Sequence, residues 1–232
     1  MEDITPDLID KVKAEFRNEY KNSAKIQGLL DAVQNGTATY EQAQTYSLEV
    51  SRLIGRAYEK HISSAVLPDG KLYYNIASRL VPETLDENYR LVADYAKAVQ
   101  ENLNIRAGLK IKAQVATLDV ERVDGIVELA ASGEQYDDVA QKLTNAFDTY
   151  TQSIVDETIR RNVEFQGRAG LRPTVRRRST GRCCAWCRAL VGEYEYPDVP
   201  KDVYRRHESC RCSVLFDPGD GRKQNVWSKR WS

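Results

Sequence analysis

At 232 residues, with 41% hydrophobic and 29% charged side chains, the chain has the composition of an ordinary globular protein, which excludes intrinsic disorder. No apolar run approaches the roughly 18 residues that span a bilayer, and the acidic start MEDITPDLID has no apolar signal core, so a cytoplasmic protein without a membrane partner is expected. The formal net charge of zero conceals an asymmetry: from Arg160 to Ser232 there are 14 Arg and 3 Lys against 8 acids, and the remainder carries the opposite excess.

The first 168 residues read as helices. Thr5 and Pro6 mark a helix start, Thr5 as N-cap and Pro6 in the first turn, where a missing N–H costs nothing. Leu8, Ile9, Val12, Phe16 and Tyr20 follow at helical spacing, and Asn35–Gly36 ends the pattern because glycine takes the left-handed conformation of a helix end. Thr39 and Gln42 form a capping-box pattern for a second helix carrying Tyr46, Val50, Leu53, Ile54 and Tyr58 inward. Pro68-Asp69-Gly70 is a turn signal. A short helix around 73–79 should end before Pro82, and another from about Leu85 carries Tyr89, Val92, Tyr95, Val99 and Leu103. The stretch 113–132 predicts a further helix, stopped by Ser132–Gly133. From Tyr136 to about Gln166, Val139, Leu143, Phe147, Ile154, Ile159 and Val163 keep the period of a long or broken helix. These stripes read as core.

The texture changes at Gly167–Pro173. TVRRRST, GEYEY and CSVLF look like strands set off by Gly and Pro, and all three Trp lie beyond this point. So short a β-rich stretch has too few aliphatic residues for a large core of its own, and such modules are commonly stapled by a metal. All five cysteines are here. Cys184-x-x-Cys187, a gap of 19 residues, then His207-x-x-Cys210-x-Cys212 is a ligand pattern: a tight turn aims two thiolates at one ion, and a distant second group completes the tetrahedron of Zn²⁺. Four places on one ion leave one of these five spare, and Cys183, beside Cys184, points elsewhere. A redox Cys-x-x-Cys wants a helix N-terminus after a core strand rather than Arg-rich loops.

On these residues the sequence resembles the phage head morphogenesis proteins, the Mu F-like minor head (minor capsid) family. The resemblance runs through Cys184-Ala185-Trp186-Cys187, Leu190-Val191-Gly192 and His207-Glu208-Ser209-Cys210-Arg211-Cys212 into Ser213-Val214-Leu215, roughly residues 175–216. Family members often have Pro after the histidine, where this chain has Glu208. The resemblance implies a non-enzymatic virion protein placed in the phage head near the portal vertex, present in the host cytoplasm during assembly, with the portal protein and the major capsid or scaffolding protein as partners.

The expected fold class is therefore α+β: an elongated, mainly helical N-terminal body over 1–168 for portal or capsid docking, a small β-rich, zinc-stapled Cys/His module over 169–216, and a polar tail over 217–232. The metal donors are Cys184, Cys187, His207, Cys210 and Cys212. Arg168, Arg172, Arg176, Arg177, Arg178 and Arg182 form a basic run that suits DNA phosphates without sequence preference, or equally an acidic protein surface. Trp227 and Trp231, flanked by Lys and Arg, suit anchors on a partner. The alternative of another class is a metal-dependent nuclease, or another enzyme acting on DNA or a host protein. It needs a free general base beside the metal, and His207 is the one histidine of this half.

Overall fold

A computed structural model describes residues 3–179, 181 and 183–218. The architecture is α+β: seven α-helices and one three-stranded antiparallel sheet among the described residues. None of these helices is long and apolar enough to cross a membrane.

Helix α1 (Thr5–Asn22) starts one residue earlier than its sequence signal. Ile4 is the N-cap, and the Thr5 N–H donates to the Asp3 carboxylate at 3.0 Å. The periodic pattern expected to run on to Asn35 breaks at Ser23, which leaves helical geometry and caps α2 (Ala24–Gln34) by accepting the Ile26 N–H at 3.3 Å. Gly36 ends α2 at φ 69°. Helix α3 (Tyr40–His61) opens on the Thr39/Gln42 capping box in both directions, at 3.0 and 3.3 Å.

The break expected before Pro82 is absent. Helix α4 (Tyr74–Arg106) runs through it. The proline removes one backbone bond and costs about 3 kcal/mol. Against that, the unbroken helix buries Ile76, Leu80, Val81, Leu85, Val92 and Val99 together, each large aliphatic contributing roughly 1.5–3 kcal/mol. The predicted helix over 113–132 is half right. Only α5 (Val120–Ala131) is helical, capped by Asp119 accepting from the Arg122 N–H at 3.1 Å.

Residues 109–119 form a strap in neither helix nor strand, fastened to α6 (Ala140–Arg168) by side chains. Asn162 bonds both the Gln114 N–H (2.9 Å) and its carbonyl (2.7 Å), and Thr158 accepts the Ala116 N–H at 3.1 Å. Helix α6 itself is a single unbroken rod. Leu143, Phe147, Val155, Ile159 and Val163 bury its inner face against α3 and α4.

Strand β1 (Thr174–Arg178) is the centre of the sheet, paired antiparallel with β2 (Gly192–Glu195) and β3 (Ser213–Asp217). Val175, Val214 and Phe216 point inward and join the core of the helical body, Phe216 meeting the Tyr40 ring edge-on with centroids 6.1 Å apart. The module therefore shares one apolar interior with the helices. At the other edge, Tyr196 packs on α6 at Gly167, where an added Cβ would lie 2.3 Å from the ring.

Candidate metal centre

Two tight turns aim the donor atoms at each other. Cys184 caps the single-turn helix α7 (Ala185–Ala189), its sulfur accepting the Cys187 N–H at 3.4 Å, so both thiols face one side. A second turn closes from His207 to Cys210, the Cys210 N–H reaching the His207 carbonyl at 3.2 Å, with Ser209 in the left-handed region at φ 58°. The His207 Nδ1–H donates to the Glu208 carbonyl at 2.6 Å, which leaves the Nε2 lone pair as the ligand.

That nitrogen stands 3.0 Å from Cys187 Sγ and 3.4 Å from Cys184 Sγ. Cys187 Sγ lies 3.7 Å from Cys210 Sγ, matching the edge of about 3.8 Å that Zn–S bonds of about 2.3 Å give a tetrahedron. Two triads result, Cys184/Cys187/His207 and Cys187/Cys210/Cys212, each with donor atoms within 4.8 Å of one another and Cys187 common to both. The cluster can hold a metal ion. Cys183 belongs to neither triad and packs half-buried against the group.

Cys187, Cys210 and Cys212 are buried, at 1%, 3% and 4% exposure. Burial and the neighbouring Cys210 and Cys212 push the Cys187 thiol up to about 12. Burial, then Cys210, raises Cys212 as well. Cys184, exposed, is lowered by the Cys187 N–H that points at it. The Cys187 and Cys212 thiols, crowded beside Cys210, resist ionising, and a bound cation removes that resistance, which is how such a donor set fits a metal.

Of the five described arginines of the basic run, four pair with carboxylates and one is buried. Arg168 pairs with Glu164 (3.7 Å), Arg172 with Glu195 (3.4 Å), Arg176 with Glu193 and Arg178 with Glu41 (3.2 Å). Arg177 turns inward at 1% exposure, because strand alternation puts it on the same face as Val175, and it offers nothing to a phosphate. Its Nη1 donates to the Val203 and Arg205 carbonyls, and its Nη2 reaches Cys187 Sγ and Cys210 Sγ. Arg182, Trp227 and Trp231 lie outside the described residues.

Residues that sequence reasoning passed over fix this centre to the helical body. Arg206, next to His207, forms a buried ion pair with Asp156 of α6, Nη2 to Oδ1 at 2.9 Å, both side chains 1% exposed. It also donates to Gln152 Oε1 (2.6 Å) and to the Cys212 carbonyl (2.7 Å), while Gln44 of α3 donates to Asp156 at 2.7 Å. Arg211 meets Asp148 two helical turns away at 3.3 Å, and Asn145 donates to Glu208 at 3.0 Å. The available signal was Asp156 itself, a carboxylate on the inward stripe with Gln152, Ile159 and Val163. Beside Arg206 a groove of about 1050 Å³ opens between the strap, α6 and residues 196–206, with Leu118 and Val120 exposed on its rim.

A family model described as VG15 protein matches residues 34–231, a span that takes in most of the helical body as well as the cysteine cluster. No curated protein and no solved structure matches the chain. The chain belongs to the VG15 protein family, a family of viral (phage) proteins.

Proposed function

We propose that this chain is a structural, non-enzymatic minor capsid protein of the phage head, a head morphogenesis component that sits near the portal vertex of the virion and is present in the host cytoplasm during assembly. The observation that carries the reading is the membership of a phage protein family over a span that unites the helical body with the Cys/His signature. The portal protein and the major capsid or scaffolding protein are its partners. The groove beside Arg206, with Leu118 and Val120 on its rim, is suited to a protein contact.

Within this reading the cluster holds one structural Zn²⁺. Mixed thiolate and imidazole donors on two turns favour that ion over harder cations. His207 is engaged through both nitrogens, with the Glu208 carbonyl and with the Cys184 and Cys187 sulfurs, so the imidazole of this centre is not free to act as a base. The exposed pairs of Arg168, Arg172, Arg176 and Arg178 are worth little each, so DNA phosphate can replace the carboxylates, which supports salt-dependent, sequence-blind contact with packaged DNA.

The test is assembly. Co-expressed with the portal, scaffolding and major capsid proteins of its phage, the chain should sediment with procapsids, and should be lost from particles assembled without portal. Free sedimentation in both cases overturns the structural reading. DNA cleavage with added metal, abolished by His207→Ala, would replace it with the nuclease.

A further inference from the structure

Arg177 is a buried charge without a carboxylate. It makes no ion pair among the described residues, and its Nε, also buried, has no partner there. Its contacts divide between two directions. Nη1 donates to the carbonyls of Val203 and Arg205, the latter at 2.8 Å, on the loop that leads into His207. Nη2 faces Cys187 Sγ at 3.7 Å and Cys210 Sγ at 3.6 Å, within reach of a hydrogen bond to the larger sulfur atom. The guanidinium carbon lies 5.4 Å from the centroid of the Trp186 ring, whose face favours a cation.

An uncompensated buried guanidinium is costly. The other buried arginine of this region, Arg206, is already matched by Asp156. Neutral thiols give Arg177 no counter-charge, whereas a divalent ion bound by three thiolates and one neutral imidazole carries a net charge of −1. We propose that Arg177 is the fixed counter-charge of the metal centre. It donates N–H···S hydrogen bonds to the metal-bound sulfurs of Cys187 and Cys210 and matches a donor set of three cysteines with His207. This rests on the metal reading above and adds to it the charge and donor count of the centre. Arginine is required because one planar fork serves sulfurs on one side and carbonyls on the other, and a lysine ammonium reaches only one of them. Arg177 is thus a positioning residue that touches the ligands rather than the ion.

Four measurements on the full chain test this. Loaded with ¹¹³Cd²⁺, the wild type should show a correlation between cadmium and the Arg177 guanidinium protons, carried through the N–H···S bonds. X-ray absorption of the zinc form should give three sulfurs and one nitrogen. With Co²⁺, Arg177→Met should keep the tetrahedral d–d bands, while the sulfur-to-cobalt charge-transfer band moves to longer wavelength, because losing a hydrogen bond raises the sulfur lone pair. Competition with a chelator should show zinc held on the order of 10–100-fold more weakly in Arg177→Met, as for other outer-shell partners. A wild type that binds none of these ions overturns the metal reading itself. Ion binding without the cadmium correlation, with an unmoved band in a folded Arg177→Met, or with four sulfurs around zinc, overturns the role of Arg177 and leaves the metal centre standing. Should Arg177→Met fail to fold, the wild-type cadmium spectrum decides alone.

Discussion

Around Phe147 the inward positions are Tyr58, Leu143, Tyr150 and Val155, with Tyr58 meeting the Phe147 ring at 4.9 Å. Around Cys187 they are Arg177, Cys210 and Cys212, with Arg206 and Asp156 behind. These inward positions are closed to water in both regions, but the first is held by apolar area and the second by a donor cluster and matched charges, with Cys184 and His207 at its exposed edge. Equal burial thus hides unequal failure conditions. The helices should yield to denaturant and to loss of volume. The module should yield to loss of the proposed ion or of one charge of a pair, although Val175, Val214 and Phe216 share the core of the helices.

The comparison can be broken most forcefully at Cys187, the donor common to both triads. Cys187→Ser should reduce bound zinc from about one per chain to background, and expose the segment after Arg168 to protease while far-UV helical signal remains. Retention of zinc would refute the shared-donor assignment. The next largest effects set the two regions side by side. Phe147→Ala should cost about 3–5 kcal/mol by leaving a cavity. Asp156→Ala should cost a similar 3–5 kcal/mol by leaving Arg206 buried and unpaired. In urea titrations the second loss should be largely recovered by combining Asp156→Leu with Arg206→Met, since the apolar pair removes both charges. No such partner substitution should rescue Phe147→Ala.

Smaller effects sharpen the contrast from the side of the helices. Thr39→Ala, which deletes one half of the capping box, should lower stability by about 1 kcal/mol with no change in metal content. The smallest expected effect is at Asp3, where hydrogen bonds from Arg79 and then Thr5 hold the carboxyl at about 2, below its ordinary 3.8. A depressed carboxyl contributes stability that is complete above about pH 4 and is lost as pH falls through its folded value. In Arg79→Met the Asp3 titration followed by NMR should therefore move up towards the ordinary value.

Much of this was legible in the chain. The Thr39/Gln42 box, the Asn35–Gly36 stop and the Pro68–Gly70 turn depend on short-range chemistry, and each is present where the residues place it. The cysteine cluster was readable because turns of two intervening residues bring donors together whatever surrounds them. What escaped depends on partners distant in sequence. Pro82 signals a break, and only the shared burial on either side of it keeps α4 continuous. The strap looked helical because Val115 and Leu118 fit the period, yet Asn162 and Thr158 claim its backbone. Arg177 was legible in principle. With Val175 inward, the strand period of two puts residue 177 inward as well.

The strap carries one more consequence, which is a matter of commensurate lengths. From residue 114 to 116 an extended chain advances about 6.6 Å, and from Thr158 to Asn162 a helix rises about 6 Å. The two spacings agree closely enough for side chains of α6 to act as the facing edge of a ladder, with Gln114 and Ala116 as its rungs. Adding or deleting a single residue between those rungs would break the match, whereas the same change before Ile111 disturbs the bond from Asn104 to the Ile111 carbonyl but leaves the rungs in register. Length tolerance in this connection is therefore set by the pitch of a neighbouring helix, and insertions should be accepted on one side of the strap and rejected on the other.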